Sequence, residues 1–297
     1  MKIAVIGDVH KSWDEVDADY FNAGDHDLIV IVGDLPGRSH REIEVARRIS
    51  GLQKEALLIP GNHDAVTWAQ FLAELGSRDG LAEVAGGKQK ERVLALAEAL
   101  GPVRLGGYSR HVFGKETPLD VIVARPHAMG GRRLSYRPYL REEFGVDSLE
   151  DSARLLRELI DQSGDWLFFL AHNGPSGLGE KRDSIWGRDF DARAGDFGDP
   201  DLEEALGYAR SQGKQVVAVA AGHMHHALRG GGRRERVLLR EGTVFINAAR
   251  VPRIFTRDGK IFRHHVEVRI DSFRGEPRAR VAEILVGENE EIRENLA

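Results

Sequence analysis

The chain has 297 residues, of which 41% are hydrophobic and 30% charged, and its formal net charge is -5 at pH 7. This composition is typical of a globular protein, and the acidic balance argues against a general nucleic-acid binder, whose surface would be basic. Cysteine is absent, which excludes disulfides and leaves His, Asp, Glu and Asn as the side chains that could bind a metal.

The N-terminal apolar run, residues 3–6, is too short for a signal peptide and resembles a first strand. No run of about 18 apolar residues occurs anywhere, so the sequence predicts no membrane span. We therefore expect a cytoplasmic, enzyme-like protein.

The first 75 residues repeat one pattern, an apolar run followed by a polar cluster. The runs lie at residues 3–6, 28–32 and 57–59. The clusters that follow them contain Asp8 and His10, then Asp34, then Asn62, His63 and Asp64. Helices are predicted between them at about residues 12–21 and 40–50, which gives the spacing of strand-helix-strand units.

Apolar strands joined by helices should be parallel and covered on both faces. The carboxyl ends of parallel strands lie at one edge of the sheet, where ligands bind in open α/β sheets. The alternative is ordinary turn chemistry, because Gly and Asp are favoured in turns whatever the function. Three such turns in succession, two of them carrying histidine, favour a shared site.

The middle of the chain is less regular. Helices are predicted at residues 88–100 and 149–160, and strands at 103–105, near 108–113 and at 119–124. Residues 125–144 are rich in Gly and Arg, which predicts a loop or a small excursion.

Two further apolar strands are predicted in the second half. Residues 166–171 end at His172, and residues 216–221 end at Gly222, His223 and His225. The long loop at 177–200 contains Trp186, and loops of this length inside a compact domain tend to be functional.

The tail contains four more strand-like stretches, whose spacing predicts antiparallel pairing. They lie at residues 237–239, 243–248, 262–270 and 279–286. We interpret residues 1–297 as a single domain with excursions at about 76–144 and 177–200.

The strand ends together supply a set of metal-binding side chains. The set consists of Asp8, His10, Asp34, Asn62, His63, His172, His223 and His225. Imidazole with carboxylate and amide oxygen suits Mn²⁺, Fe or Zn²⁺ better than Mg²⁺ or Ca²⁺. Two such metals, roughly 3.5–4 Å apart, are a usual arrangement for hydrolysing phosphate esters. The histidines that do not follow these strands are interpreted as ordinary: His26, His40, His111, His127, His226, His264 and His265.

In this order and spacing, the motifs resemble those of the calcineurin-like metallophosphoesterase superfamily. The similarity extends from residue 8 to residue 225 and rests on Asp8-x-His10, Gly33-Asp34, Gly61-Asn62-His63-Asp64, His172 and Gly222-His223-x-His225. It implies an α/β fold, a four-layer α/β/β/α sandwich with two central mixed sheets around a dinuclear metal centre.

The resemblance also implies a role for each residue. Asp8, His10, Asp34 and His225 would bind one metal, and Asp34, Asn62, His172 and His223 the other, with Asp34 bridging. His63 would face the substrate, stabilising the transition state or protonating the leaving oxygen, and Asp64 would orient His63. The implied reaction is hydrolysis of a phosphate mono- or diester by a hydroxide that bridges two Mn, Fe or Zn ions.

The sequence departs from the protein Ser/Thr phosphatases of this superfamily at two places. Those enzymes carry Gly-Asp-x-x-Asp-Arg-Gly and Gly-Asn-His-Glu, whereas this chain has Gly37 before Arg38 and Asp64 after His63. Arg38 keeps the spacing of a phosphate clamp, and a guanidinium suits that role; the alternative is a solvated loop residue.

The expected substrate is a phosphoester small molecule or a nucleotide. A nuclease of the same superfamily is an alternative, because Arg229, Arg233, Arg234 and Arg236 cluster after the last motif; the acidic total disfavours it. A cyclic-nucleotide phosphodiesterase and a non-catalytic binding scaffold also compete with the hydrolase interpretation. Trp186 could stack on a base or an aromatic leaving group, but we expect it to anchor the 177–200 loop.

Overall fold

The computed structural model describes residues 1–36, 41–114, 118–191, 195–288 and 290–297. Arg38, the predicted phosphate clamp, lies outside these residues. The framework is a pair of β-sheets whose inner faces share one apolar core.

The strands of the described residues are β1 (Lys2–Ile6), β2 (Leu28–Ile31), β3 (Ala56–Leu58), β4 (Arg104–Leu105), β5 (Ser109–Phe113), β6 (Leu119–Val123), β7 (Trp166–Leu170), β8 (Gln215–Ala221), β9 (Val237–Arg240), β10 (Thr243–Asn247), β11 (Ile254–Arg257), β12 (Lys260–Phe273), β13 (Glu276–Val286) and β14 (Glu291–Asn295). The helices are α1 (Glu15–Ala23), α2 (Glu42–Ile49), α3 (Trp68–Leu75), α4 (Asp79–Gly86), α5 (Gln89–Ala99), α6 (Arg137–Phe144), α7 (Leu149–Asp161) and α8 (Pro200–Ser211).

The first sheet has the order β14-β13-β12-β1-β2-β3-β4, with β11 beside β12. Its strands β1 to β4 are parallel, and β12 runs antiparallel to β1. The second sheet has the order β5-β6-β7-β8-β10-β9, in which β6, β7, β8 and β10 are parallel and the edge strands β5 and β9 are antiparallel. Both sheets are therefore mixed, as predicted.

The apolar runs are continuous because both faces of these strands are buried. In β2, Leu28 and Val30 face the core between the sheets, whereas Ile29 and Ile31 face α1, α2 and α5. In the second sheet, alternate residues of β7 likewise face that core and the helices α7 and α8. The resulting order of layers is α/β/β/α, which confirms the predicted sandwich.

Two helices were missed between residues 76 and 144. α4 lies in the stretch interpreted as irregular, and α6 lies in the segment predicted to be a loop. A proline sits in the first turn of α6 and Gly145 ends it in a left-handed conformation, with φ 68°. The proline and Gly145 are typical helix-boundary residues, but the surrounding Gly- and Arg-rich sequence obscured them.

The tail pairs mainly antiparallel, as predicted, through β11, β12, β13 and β14. β9 and β10 also pair antiparallel, but they belong to the second sheet, where β10 pairs parallel with β8. Among the described residues, we find no helix with the length and apolar character that a membrane span requires.

Candidate active site

The polar clusters that follow five strands meet where the carboxyl ends of the two sheets adjoin. The first sheet contributes Asp8 and His10 after β1, Asp34 after β2, and Asn62, His63 and Asp64 after β3. The second sheet contributes His172 after β7, and His223 and His225 after β8. Parallel pairing within each sheet places these ends at the same edge, as the sequence predicted.

One group of potential metal ligands consists of Asp8, His10 and His225, whose ligand atoms lie within 4.8 Å of one another. The His225 Nε2 atom is 3.3 Å from Asp8 Oδ2 and 3.3 Å from His10 Nε2. The Asp8 side chain is fully buried, and its Oδ2 forms no hydrogen bond of good geometry with any part of the chain that the structure describes. Such an orphaned carboxylate oxygen is suited to binding a cation.

The second group consists of Asp34, His172 and His223, again with ligand atoms within 4.8 Å. The Asn62 Oδ1 atom joins them, at 2.9 Å from His172 Nε2 and 2.8 Å from His223 Nδ1. Asp34 lies between the groups, because its Oδ1 is 3.6 Å from His172 Nε2 and its Oδ2 is 3.7 Å from His10 Nε2.

Backbone carbonyls fix the orientation of two imidazoles. His172 Nδ1 donates to the carbonyl of Val32 at 2.5 Å, and His10 Nδ1 donates to that of Pro36 at 3.1 Å. A carbonyl can only accept, so in each neutral ring Nε2 keeps its lone pair and turns it toward the carboxylates. Lone pairs facing one another are unfavourable without a cation, and an imidazole held by a carbonyl at its other nitrogen is typical of metal-binding histidines. The donor set therefore fits metals.

Burial penalises charge throughout this cluster, and the neighbouring groups decide which charges persist. Desolvation opposes ionisation of Asp8, but its contact with His225 and the charges of nearby imidazoles lower the pKa of this carboxyl. Burial also opposes protonation of His172, yet the carboxylates of Asp34 and Asp8 raise the pKa of its imidazole. At His223 burial prevails and lowers the pKa to about 3. The cluster thus favours anionic carboxylates, the form that binds cations.

Asp64 holds two loops together and does not bond to His63. Its carboxylate accepts hydrogen bonds from the backbone N–H groups of Asp34, Leu35 and Gly61. The hydrogen bonds of Asp64 therefore do not include His63, the residue that it was expected to orient. Two carboxylate oxygens occupied by three backbone donors leave the imidazole to be held by other contacts.

His63 lies beside the cluster and lines the cavity above it. Its backbone N–H donates to Asp34 Oδ1 at 3.0 Å, and its ring packs against Phe71 at a centroid distance of 4.5 Å. The imidazole is half-buried. It is thus oriented by its own backbone and by an aromatic side chain of α3.

Two residues from the 76–144 segment support the loop that carries Asn62 and His63. His127 Nδ1 donates to the carbonyl of Gly61 at 3.0 Å, and the Tyr136 hydroxyl donates to that of Asn62 at 2.6 Å. Both residues are fully buried and have φ of 57°. The sequence interpretation treated His127 as an ordinary histidine, and no local pattern marks its contact with a loop more than 60 positions away.

Arg234 is buried, although the sequence placed it in a basic surface patch. Its guanidinium donates to the carbonyls of His225, Arg182 and Ser184, and it pairs with Asp189 at 3.1 Å. It also donates to the carbonyl of Gly187. Arg234 therefore ties the 177–200 segment to the loop that carries His223 and His225.

The three other arginines of this cluster differ in their surroundings. Arg236 pairs with Glu283 and Glu294, whereas Arg229 and Arg233 are exposed. Of the four arginines that favoured a nuclease, Arg234 and Arg236 are thus paired with carboxylates.

The cavity above the cluster has a volume of about 420 Å³. Its lining combines potential ligands with a set of apolar side chains, Phe71, Leu75, Met129, Phe190 and Phe197. Trp186 does not reach it, because its side chain is fully buried beside Phe245. The expected role of Trp186 as an anchor of the 177–200 loop is confirmed.

Known proteins resemble this chain in sequence and in fold. The family model described as calcineurin-like phosphoesterase matches residues 1–227. The chain is 32% identical over 178 residues to the symmetrical bis(5'-nucleosyl)-tetraphosphatase of Nitrosococcus oceani, a match that covers 58% of this chain and 55% of that protein. The chain thus spans about half the length of that curated relative.

A solved structure resembles the fold at low sequence identity. The TT1561 protein of Thermus thermophilus aligns with a TM-score of 0.50 and 10% identity, over 88% of this chain and 92% of that one. The family match includes every strand end that contributes to the cluster. The chain therefore belongs to the calcineurin-like phosphoesterase family.

Proposed function

We propose that this protein hydrolyses small phosphomonoesters or phosphodiesters of the nucleotide type at a centre of two metal ions. The observation that carries the proposal is the position of Asp34, whose two oxygens face different groups of potential ligands. The name of the curated relative, a nucleosyl tetraphosphatase, supports a nucleotide-like substrate. The cavity suits a small molecule better than a long polymer.

Asp8, His10 and His225 would hold one metal and Asn62, His172 and His223 the other, with Asp34 shared. Histidine-rich sites of this kind favour Mn, Fe or Zn. When bound, a metal pair supplies a nucleophile at neutral pH and neutralises charge on the phosphoryl group.

His63 is the proposed group that acts on the leaving oxygen. It lines the cavity but belongs to neither group of ligand atoms, so its ring is available to the substrate. It would donate a hydrogen bond or a proton to the departing alcohol. Asp64 supports this step by fixing the loops of Asp34 and Gly61. Phosphate clamping by Arg38, the single-domain interpretation of residues 1–297 and a cytoplasmic location stay predictions from the sequence.

The test is a screen of the purified protein loaded separately with Mn²⁺, Fe²⁺ and Zn²⁺. We expect hydrolysis of nitrophenyl phosphate or bis(nitrophenyl) phosphate, and of nucleotides, with loss of activity in a chelator. The His63→Ala variant should lower kcat by about 10²- to 10⁴-fold and leave the metal content unchanged.

His111→Ala, on the edge strand β5, is the matched control and should behave as wild type. A protein that binds two metals and cleaves no ester would instead be the non-catalytic scaffold. Loss of metal in His63→Ala would contradict the role given to His63.

A further inference from the structure

The apolar lining of the cavity comes mainly from two separate parts of the chain. Phe71 and Leu75 belong to α3, and Phe190 and Phe197 belong to the 177–200 segment. We call these four side chains, with Met129, the aromatic pocket. Asn62, His63 and His223 line the same cavity.

The aromatic rings are linked to the potential metal ligands by direct packing. Phe71 lies against His63, with ring centroids 4.5 Å apart. Phe197 is stacked over His223, with a centroid distance of 6.4 Å and an angle of 15° between the ring planes. Phe190 meets Phe197 edge to face at 4.8 Å. A group bound among these rings would therefore lie close to a phosphoryl group held at the metal centre, so one small molecule could occupy both places.

The pocket leaves costly apolar surface in water. The side chain of Phe190 is 43% exposed and that of Leu75 is 62% exposed. Trp68 and Leu72 on the same helix are 41% and 57% exposed, so the apolar surface continues along α3 from the cavity. A patch of exposed apolar residues that adjoins a polar site is typical of a ligand-binding surface.

A cation lies at the rim of the pocket. The Arg229 guanidinium carbon is 5.9 Å from the centre of the Phe190 ring. Its backbone is held from both sides, because its N–H donates to Asp189 Oδ2 at 2.8 Å and its carbonyl accepts from Arg182. Arg229 is thus placed to contact either an aromatic ring or a further phosphate.

We propose that the aromatic pocket binds a planar aromatic group of the substrate, such as a nucleobase, while the phosphate lies at the metal centre. This inference rests on the proposed function, since it assigns the organic part of the same ester. Three phenyl rings favour a flat π-system over an alkyl chain, because a base gains free energy when it stacks on an aromatic side chain. The sequence offered Trp186 as the side chain that could stack on an aromatic group, and the structure assigns that role to Phe71, Phe190 and Phe197.

The test compares two phosphomonoesters that differ only by the base, AMP and ribose 5-phosphate. Binding of each to the Mn²⁺-loaded full-length protein is measured by calorimetry. We expect AMP to bind at least about tenfold more tightly than ribose 5-phosphate. Phe190→Ala should weaken AMP binding at least about fivefold more than it weakens ribose 5-phosphate binding.

Phe273→Ala is the matched control. Phe273 is 49% exposed and has the Arg278 guanidinium over its ring at 4.4 Å, but it lies at the end of β12. This variant should bind both compounds as the wild type does. Equal affinity of the wild type for the two compounds, no binding of either, or an equal loss for both in Phe190→Ala would overturn the proposal.

The two hypotheses fail separately in this design. Calorimetry of AMP requires no turnover, so a protein that discriminates the base but cleaves no ester would leave the pocket standing and remove the proposed function. Hydrolysis of esters without any preference for an aromatic one would support the proposed function and contradict the aromatic pocket.

Discussion

The carboxylate of Asp64 accepts a hydrogen bond from the backbone N–H of Asp34 at 2.8 Å. The same side chain bonds to the N–H of Leu35 and of Gly61, both at 2.7 Å. One carboxylate thus joins the loop after β2 to the loop after β3, and each loop supplies a potential metal ligand.

Asp64→Asn should therefore destabilise the protein and weaken metal binding. An amide has a single acceptor oxygen, so its NH₂ group would face a backbone donor, and a buried donor left unpaired costs about 1–3 kcal/mol. Chemical unfolding and metal titration would measure both effects. Asp147→Asn changes a half-exposed aspartate with surface ion pairs and should stay within about 0.5 kcal/mol of wild type. Unaltered metal affinity in Asp64→Asn would count against the loop-joining role.

Asp34→Asn should reduce the bound metal from two ions to one or fewer. The substitution replaces one of the two oxygens that face the separate groups and removes the shared negative charge. Metal analysis after gel filtration gives the stoichiometry. Asp8→Asn changes a side chain that belongs to one group of potential ligands and should lose one ion at most. Two tightly bound ions in Asp34→Asn would exclude sharing.

Arg234→Met should lower the free energy of unfolding by about 3–5 kcal/mol, since it leaves Asp189 without its buried partner and inward-facing carbonyls unpaired. Arg233→Met provides the control, because Arg233 is the exposed neighbour. Denaturant unfolding with fluorescence detection would separate the two. Equal stability of both variants would show that the buried guanidinium contributes nothing.

Gly222→Ala should damage the centre, because an added Cβ would lie 2.2 Å from Asp8 Oδ1 and 2.7 Å from Val32 Cγ2. Either Asp8 or the backbone at Gly222 must move. We therefore expect metal affinity and the free energy of unfolding to fall together. Gly207→Ala, inside α8, meets no described atom within 4 Å and should stabilise the protein by about 0.5–1 kcal/mol. A harmless Gly222→Ala would show that the loop after β8 is less constrained than its packing indicates.

Glu267 should make stability depend on acid pH. Burial opposes its ionisation, but hydrogen bonds from Arg269, Arg293 and Lys2 lower the pKa of this carboxyl from 4.5 to about 2. Because the pKa is lower in the folded protein, Glu267 is protonated at a higher pH in the unfolded chain than in the folded one. The contribution is therefore complete above about pH 5 and is lost as the pH falls toward about 2.

Because its arginine partners are partly exposed, we expect the loss to be on the order of 1–3 kcal/mol. Glu267→Gln should flatten this part of the curve of unfolding free energy against pH. Glu276→Gln, at an exposed position of β13, should leave the curve as in wild type. Identical slopes for the wild type and both variants across this acid range would refute the assignment.

Much of the fold and the potential ligands could be predicted because each ligand follows its own apolar strand. The run before Asp34, for example, is buried on both faces, and that periodicity is local in sequence. The partners of Asp64 could not be predicted, because backbone donors 29 and 30 positions away carry no residue-type signal. The burial of Arg234 likewise depends on how two loops turn their carbonyls inward. The aromatic pocket was missed since α3 and the 177–200 segment meet only in the folded chain.

Each group of potential ligands draws on both sheets. His225 of the second sheet meets Asp8 and His10 of the first, and His172 and His223 of the second meet Asp34 of the first. Bound metals would therefore connect the two sheets, whose relative position is otherwise set by the apolar core between them. Core substitutions such as Val30→Ala or Phe168→Leu lie between the sheets and away from the ligands. They should then change metal affinity, because they alter the position of one sheet relative to the other. In this fold, the affinity for metal therefore reports how well the two sheets are aligned with each other.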